Sequence, residues 1–259
     1  MKINPKPTLE NFGGKGYQLT QLAKNFLVPD FFVLQFDDAN EIKSSDNQKL
    51  ILETFDKNRF TIVSVRSSAT VEDGNKASFA GMFETELNIE KNNLICAIEK
   101  VLKSINSSRV KDYCELNKIA IKTVKMNIVI QKMVNSRISG VCLTRDKVGG
   151  DMIIEACHGL GEGLVSGLVT PDTYIINRNT FEIINKNIGY QKNMITNKGE
   201  VPVPFFLCNC QKMTDDEIKQ LAKICLKIEQ KYNYKSADVE WAFEHEKIYI
   251  LQSRAFVGL

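Results

Sequence analysis

The segment from residue 236 to residue 256 constrains the fold most. Residues 237–243 and 247–253 are dense in aromatic and β-branched side chains, with Glu244, His245 and Glu246 between them, so they predict a hairpin closed by a tight turn. Strand side chains alternate between two faces. With the turn centred near His245, the even-numbered Asp238, Glu240, Ala242, Ile248, Ile250, Gln252 and Arg254 share one face. The odd face, Val239, Trp241, Phe243, Tyr249 and Leu251, is apolar enough to be core. Glu240, Gln252 and Arg254 then project together from the end of the hairpin away from the turn.

A carboxylate and an amide oxygen are hard ligands suited to Mg²⁺, and an arginine beside them can hold a phosphate bidentately. An exposed face with a Glu–Arg salt bridge fits the same three residues equally well when they are taken alone. The rest of the chain has to decide between these readings.

Two glycine-rich or small-residue segments bear on the choice. In residues 64–89 a short apolar strand, 61–65, delivers Arg66 into a run containing Ser67, Ser68, Ala69, Thr70, Ser78, Ala80 and Gly81, and a second strand starts near Glu84. A cation beside a backbone with few obstructing side chains suits a polyphosphate. Residues 13–16 read Gly-Gly-Lys-Gly ahead of a helical pattern, so amides at a helix N-terminus and Lys15 form a candidate anion site. The GxxxxGK[ST] spacing of a P-loop is absent, and a glycine turn with a solvated lysine is the plain alternative.

Composition bounds the rest. The chain has 259 residues, 43% hydrophobic and 25% charged, enough for one large domain or two lobes sharing a cleft. A net charge of +3 with no Lys/Arg block argues against nucleic acid. Met1 is followed by a polar, Pro-containing start, and no apolar run is long enough to span a bilayer, so no membrane partner and a soluble, cytoplasmic protein are expected. Seven cysteines are scattered singly except for Cys208 and Cys210, and His158 and His245 are the only histidines. No zinc spacing results, and reduced thiols are expected.

Periodicity predicts helices over residues 17–25, 50–55 and 93–103, and another from Ser107 or Ser108 to about Leu116. Strands are expected at 31–34, through Met126, Ile128 and Ile130, and at 139–144, 152–156 and 173–177. Thr214, followed three residues later by Glu217, is a capping box that opens a helix to about Tyr232. The mixture implies an α/β or α+β protein.

Five words in order, VRSSA, SFAG, GLGE, VTPDTY and LQSR, resemble the ATP-binding domain of the phosphoenolpyruvate synthase and pyruvate phosphate dikinase family, which also opens rifampin phosphotransferases. The resemblance covers nearly the whole chain. It implies an ATP-grasp-like, two-lobed α/β (α+β) domain with lobes at 1–125 and 126–259. The first lobe looks shortened, because the link from Leu34 to the Arg66 strand lacks the longer helical insertion of full-length relatives.

The same resemblance implies ATP and Mg²⁺ as ligands. Lys15, Arg66 and Arg254 match the family's phosphate-binding and catalytic cations. Ser78, Ala80 and Gly81 lie in the phosphate-covering loop, and Thr85 matches the threonine after it. Gln131, Met133 and Val134 match the hinge that reads the adenine edge, and Glu240 and Gln252 match the metal ligands. Met82 departs from the Gln usual in phosphoenolpyruvate synthases, which leaves the subfamily open. His158 reads as a packing or surface residue.

The family passes phosphate through a histidine carrier whose Thr-Cys-His or Thr-Ser-His run does not occur in these residues. The resemblance therefore implies an ATP-dependent phosphotransferase limited to the first half-reaction, with a phosphohistidine carrier domain or subunit as partner in trans. A split subunit, a piece of a longer enzyme and a stand-alone module all fit. A non-catalytic ATP-binding regulatory or interaction module is the alternative, and an ATP-grasp ligase forming an acyl phosphate fits the VRSSA and LQSR words less well.

Overall fold

The computed structural model describes all residues except 71–72, 75–76, 79–82, 147–149 and 257–259, and the backbone alone at 73–74, 77–78, 122 and 165. The chain divides into two compact units, residues 1–25 with 29–133, and residues 26–28 with 134–259.

Unit 1 is a five-stranded sheet in the order β1-β2-β7-β3-β6, every pair antiparallel. Its strands are β1 (Lys2–Ile3), β2 (Phe31–Gln35), β3 (Ile62–Ala69), β6 (Thr85–Glu90) and β7 (Met126–Lys132), with a short ribbon, β4 (Asp73–Gly74) and β5 (Ala77–Ser78), between β3 and β6. Alternation sorts the residues of the sheet. Phe32, Leu34, Val63, Val65, Ile128 and Ile130 pack into one core with Ile51 and Phe55 of α2 (Ser45–Lys57), Leu94, Ile98 and Val101 of α3 (Leu94–Lys103) and Val110 of α4 (Ser108–Leu116). The opposite face carries Val33 and Val129, which lie against Gly16 of α1 (Leu9–Leu22).

Unit 2 is a six-stranded antiparallel sheet in the order β11-β10-β9-β8-β14-β15. It comprises β8 (Ile138–Leu143), β9 (Met152–His158), β10 (Asp172–Ile176), β11 (Ile183–Asn187), β14 (Ala237–Glu244) and β15 (Lys247–Ala255), with a separate ribbon of β12 (Asn193–Thr196) and β13 (Gly199–Pro202). A short helix, α5 (Glu162–Val165), follows β9. The long helix α6 (Asp215–Tyr232) opens on the expected capping box, with both reciprocal bonds between Thr214 and Glu217 formed. It is pinned by Glu229, which is 4% exposed, pairs with Arg178 and accepts from Thr144 Oγ1.

The mixed helix-and-sheet class expected from sequence is observed. Three local expectations differ. The first helix runs over Leu9–Leu22 rather than 17–25, because Thr8 caps it earlier by accepting from the Asn11 amide. The second helix is Ser45–Lys57, longer at both ends than the expected 50–55. The chain passes between units at Met133/Val134, not before Met126, because β7 lies between β2 and β3 in the sheet of unit 1. Among the described residues no helix is long and apolar enough to cross a membrane.

Candidate functional site

In unit 1 the GGKG and VRSSA motifs form one constellation. Gly13 interrupts α1 with φ 68° and ψ 179°, so the motif sits inside a kinked helix rather than just before one. A Cβ at Gly13 would lie 1.9 Å from the Ser68 carbonyl oxygen, so both the left-handed backbone and the close approach require glycine. Ser68 clamps the kink: its Oγ accepts from Gly16 N–H at 2.9 Å and donates to Phe12 O at 2.6 Å. One amide expected to be available to an anion is thereby committed to Ser68. Lys15, half-buried on the turn after the kink, brings Nζ to 3.5 Å from Ser67 Oγ.

Arg66 lies on β3 between Val129 of β7 and Thr85 of β6 in register. Its Nη1 donates to Gln131 Oε1 at 3.2 Å. Thr85 is exposed at the start of β6. Of the expected phosphate loop, Ser78 has only its backbone described, and Ala80 and Gly81 lie outside the described residues. The Met133 amide donates to Ile62 O at 3.0 Å, and Val134 is 7% exposed. Gln131, grouped in the sequence with the adenine-reading hinge, has its side-chain oxygen on Arg66.

In unit 2 the hairpin pairs Glu240 with Gln252 and Asp238 with Arg254. The turn is one residue tighter than expected, with Glu244 opposite Lys247 and His245 at φ 53°. Near the turn odd residues therefore face even ones: Trp241 opposes Ile250 and Phe243 opposes Ile248, and all four are buried. Tyr249 and Leu251, expected in the core, are only half-buried. A β-bulge between Glu240 and Trp241, which leaves Leu251 unpaired, restores even-to-even register for the rest of the hairpin. The expected grouping of Glu240, Gln252 and Arg254 thus holds because the two one-residue shifts add to two, a full period of strand alternation.

The same alternation runs across the sheet. The row Val239, Cys142, Ile154, Tyr174 is fully buried, while the next row, Gln252, Glu240, Val141, Glu155, Thr173, is half-buried throughout. Asp238, which sequence reasoning placed on the polar face without a role, holds Arg254 through Oδ2, at 2.9 Å from Nε and 2.6 Å from Nη2. Its strand parity with Glu240 was the available signal. Glu240 and Gln252 are oxygen donors in register, a set that fits a hard cation completed by phosphate and water oxygens. Among the described residues there is no group of three or more His, Cys, Asp and Glu that could hold a metal unaided.

The VTPDTY word is structural in its visible chemistry. Asp172 and Lys212 are fully buried and paired at 2.5 Å. Asp172 also accepts from the amides of Lys212 and Gly189 and from Tyr174 Oη, at 2.8, 2.9 and 2.6 Å. The Tyr174 hydroxyl is held far above the usual phenol range by burial and by its bond to the Asp172 carboxylate. In GLGE, Gly159 has φ 79°, and a Cβ there would meet Ile195 O at 2.2 Å. His158 is half-buried, and its pKa is lowered first by burial and then by the charge of Lys212. A nearby pocket lined by Leu168, Val169, Tyr190, Met194 and Glu200 contains none of the expected nucleotide residues.

Lys15 and Arg66 of unit 1 are of the type that binds phosphates, and Glu240 beside Gln252 in unit 2 is of the type that binds a hard cation, which makes the chain a candidate for nucleotide phosphate handling. The model of the family described as "Pyruvate phosphate dikinase, AMP/ATP-binding domain" matches residues 47–257, and the chain belongs to that family. It is 44% identical over 206 residues to a probable phosphoenolpyruvate synthase of Methanocaldococcus jannaschii, covering 76% of this chain and 17% of the relative. It is 37% identical to the phosphoenolpyruvate synthase of Pyrococcus furiosus, over 76% of this chain and 26% of that one. An uncharacterized phosphotransferase, YvkC of Bacillus subtilis, is 34% identical over 93% of this chain and 33% of its own length. The chain thus spans between 17% and 33% of these relatives. The Bacillus anthracis D-alanine–D-alanine ligase complexed with ATP overlays 93% of this chain and 54% of its own at 12% identity and a TM-score of 0.39. The family match, not this partial overlay, places the chain.

Proposed function

We propose that this chain binds ATP with Mg²⁺ and carries out the first half-reaction of a phosphoenolpyruvate synthase or dikinase-type phosphotransferase. The observation that supports this most is the register of the terminal hairpin, which sets Glu240 beside Gln252 and Arg254 beside Asp238 on one half-buried face. Membership of an AMP/ATP-binding domain family and relatives named phosphoenolpyruvate synthase point the same way.

In this reading Glu240 and Gln252 would hold the metal, which would supply positive charge to neutralise the phosphates. Lys15, Arg66 and Arg254 orient the polyphosphate and stabilise the charge that spreads over the transferred group. The segment through Ser78, Ala80 and Gly81, with Thr85 after it, covers the phosphates. Backbone groups of Met133 and Val134 read the adenine edge, where the Val134 amide is the stronger candidate donor because Met133 N–H is engaged by Ile62. Asp238 holds Arg254 in place through Nε and Nη2.

The acceptor is a histidine on a carrier domain or chain. A dikinase consumes ATP and water and yields AMP, phosphate and a carrier phosphohistidine that bears the β-phosphoryl group. Phosphorus NMR on ATP labelled separately at the β and γ positions, with a cognate carrier domain in trans, tests the route. The label from the β position is expected on the carrier, in an Arg66-dependent reaction. Transfer of the γ-phosphoryl group alone, with ADP as product, rejects the dikinase route. Tight ATP binding with no transfer to any carrier supports the binding-module reading.

A further inference from the structure

Gln131 stands where an apolar residue would pack more cheaply. It lies on β7, is 2% exposed, and follows Ile128, Val129 and Ile130, all fully buried. Register places it opposite Ser64 and diagonal to Arg66 on the same face of the sheet. Its Oε1 accepts from Arg66 Nη1 at 3.2 Å. A guanidinium can only donate, so this contact fixes which end of the amide faces the arginine. The other end, Nε2, is buried with no hydrogen-bond partner among the described residues. A buried amide satisfied at one end only is a standing cost to the fold.

We infer that Gln131 is the positioning residue for Arg66, aiming the guanidinium at the phosphates through Oε1 rather than reading the adenine edge. This rests on the reading of Arg66 as a phosphate-binding group. An amide suits the task because it is neutral. Arg254 is held by the Asp238 carboxylate, which offsets part of its charge. Gln131 orients Arg66 without itself adding a negative charge beside it. Holding a long side chain in place beforehand also removes an ordering cost from binding.

The test titrates ATP–Mg²⁺ and, as a phosphate-free probe, adenosine, into the wild-type chain, Gln131→Met, Gln131→Glu and Arg66→Ala, with thermal midpoints recorded for each. Losing a hydrogen bond to a charged group predicts ATP affinity weaker by about tenfold to a hundredfold in Gln131→Met, with adenosine affinity unchanged. Gln131→Glu keeps the shape but sets a carboxylate against the guanidinium, so it also weakens ATP and spares adenosine; it decides the matter if the Met variant fails to fold. In the Arg66→Ala background, Gln131→Met has no further effect. Unchanged ATP affinity, equal losses for ATP and adenosine, or full additivity with Arg66→Ala overturns the inference. If Arg66→Ala weakens ATP but the Gln131 variants do not, this inference alone falls. If the wild-type chain binds no ATP, the reading of the site falls and takes the inference with it.

Discussion

Lys212→Met removes the cation from a fully buried pair in unit 2. Lys212 Nζ and Asp172 are both 0% exposed and 2.5 Å apart, and Nζ also donates to Gly189 O at 2.9 Å. Methionine fills a similar volume but leaves the Asp172 carboxylate buried with three donors, the amides of Lys212 and Gly189 and the hydroxyl of Tyr174. Breaking a buried pair from one side costs about 3–5 kcal/mol. The three surviving donors place the expected loss at the lower end, about 3 kcal/mol. With an m-value of about 1–3 kcal/mol/M in urea, the midpoint falls by about 1–3 M. The assay has a built-in probe: the single tryptophan, Trp241, is fully buried in unit 2, so its fluorescence reports that unit's transition. Asp172→Asn with Lys212→Met should cost much less than the sum of the single changes, because neither member is then left charged without its partner. A loss below about 1 kcal/mol for Lys212→Met would show that the pair does not hold β10 to residues 189–213 in the way described.

The metal reading predicts that Glu240→Ala and Gln252→Ala each weaken the magnesium-dependent part of ATP binding with little change in thermal midpoint, since both lie on the half-buried face; calorimetry with and without Mg²⁺ measures this, and unchanged metal dependence in both variants refutes it. The pH dependence has a definite sign at His158, whose folded-state pKa lies below its ordinary value of 6.5 because of burial and the charge of Lys212. The unfolded chain therefore takes up this proton first, so stability is lost as pH falls from about 6.5 toward the lower folded-state value, and His158→Gln should flatten that slope. Thermal midpoints of both proteins between pH 5 and 8 decide it, and parallel slopes would remove His158 from the account.

Local physics was legible in the sequence. The capping box at Thr214 and Glu217 depends on four consecutive residues, and it forms as read. The polar end of the terminal hairpin was legible because alternation follows from strand geometry alone. The motif words identified the family because each is a short run of residues read without regard to the folded geometry between them. Tertiary structure decided what depends on distant partners. The tighter turn and the bulge at Leu251 each shift the register by one residue in the same sense, and nothing local to either strand announces that the two together make a full period of the alternation. The kink in α1 is set by Ser68, 52 residues from Gly16, and the role of VTPDTY by Lys212, 40 residues from Asp172. Gln131 was assigned by its neighbours in sequence, but its side chain answers to Arg66 on the adjacent strand, 65 residues away. Caps and parity are fixed by backbone geometry over a few residues, whereas buried polar groups take whichever partner the packed sheet brings within hydrogen-bond reach.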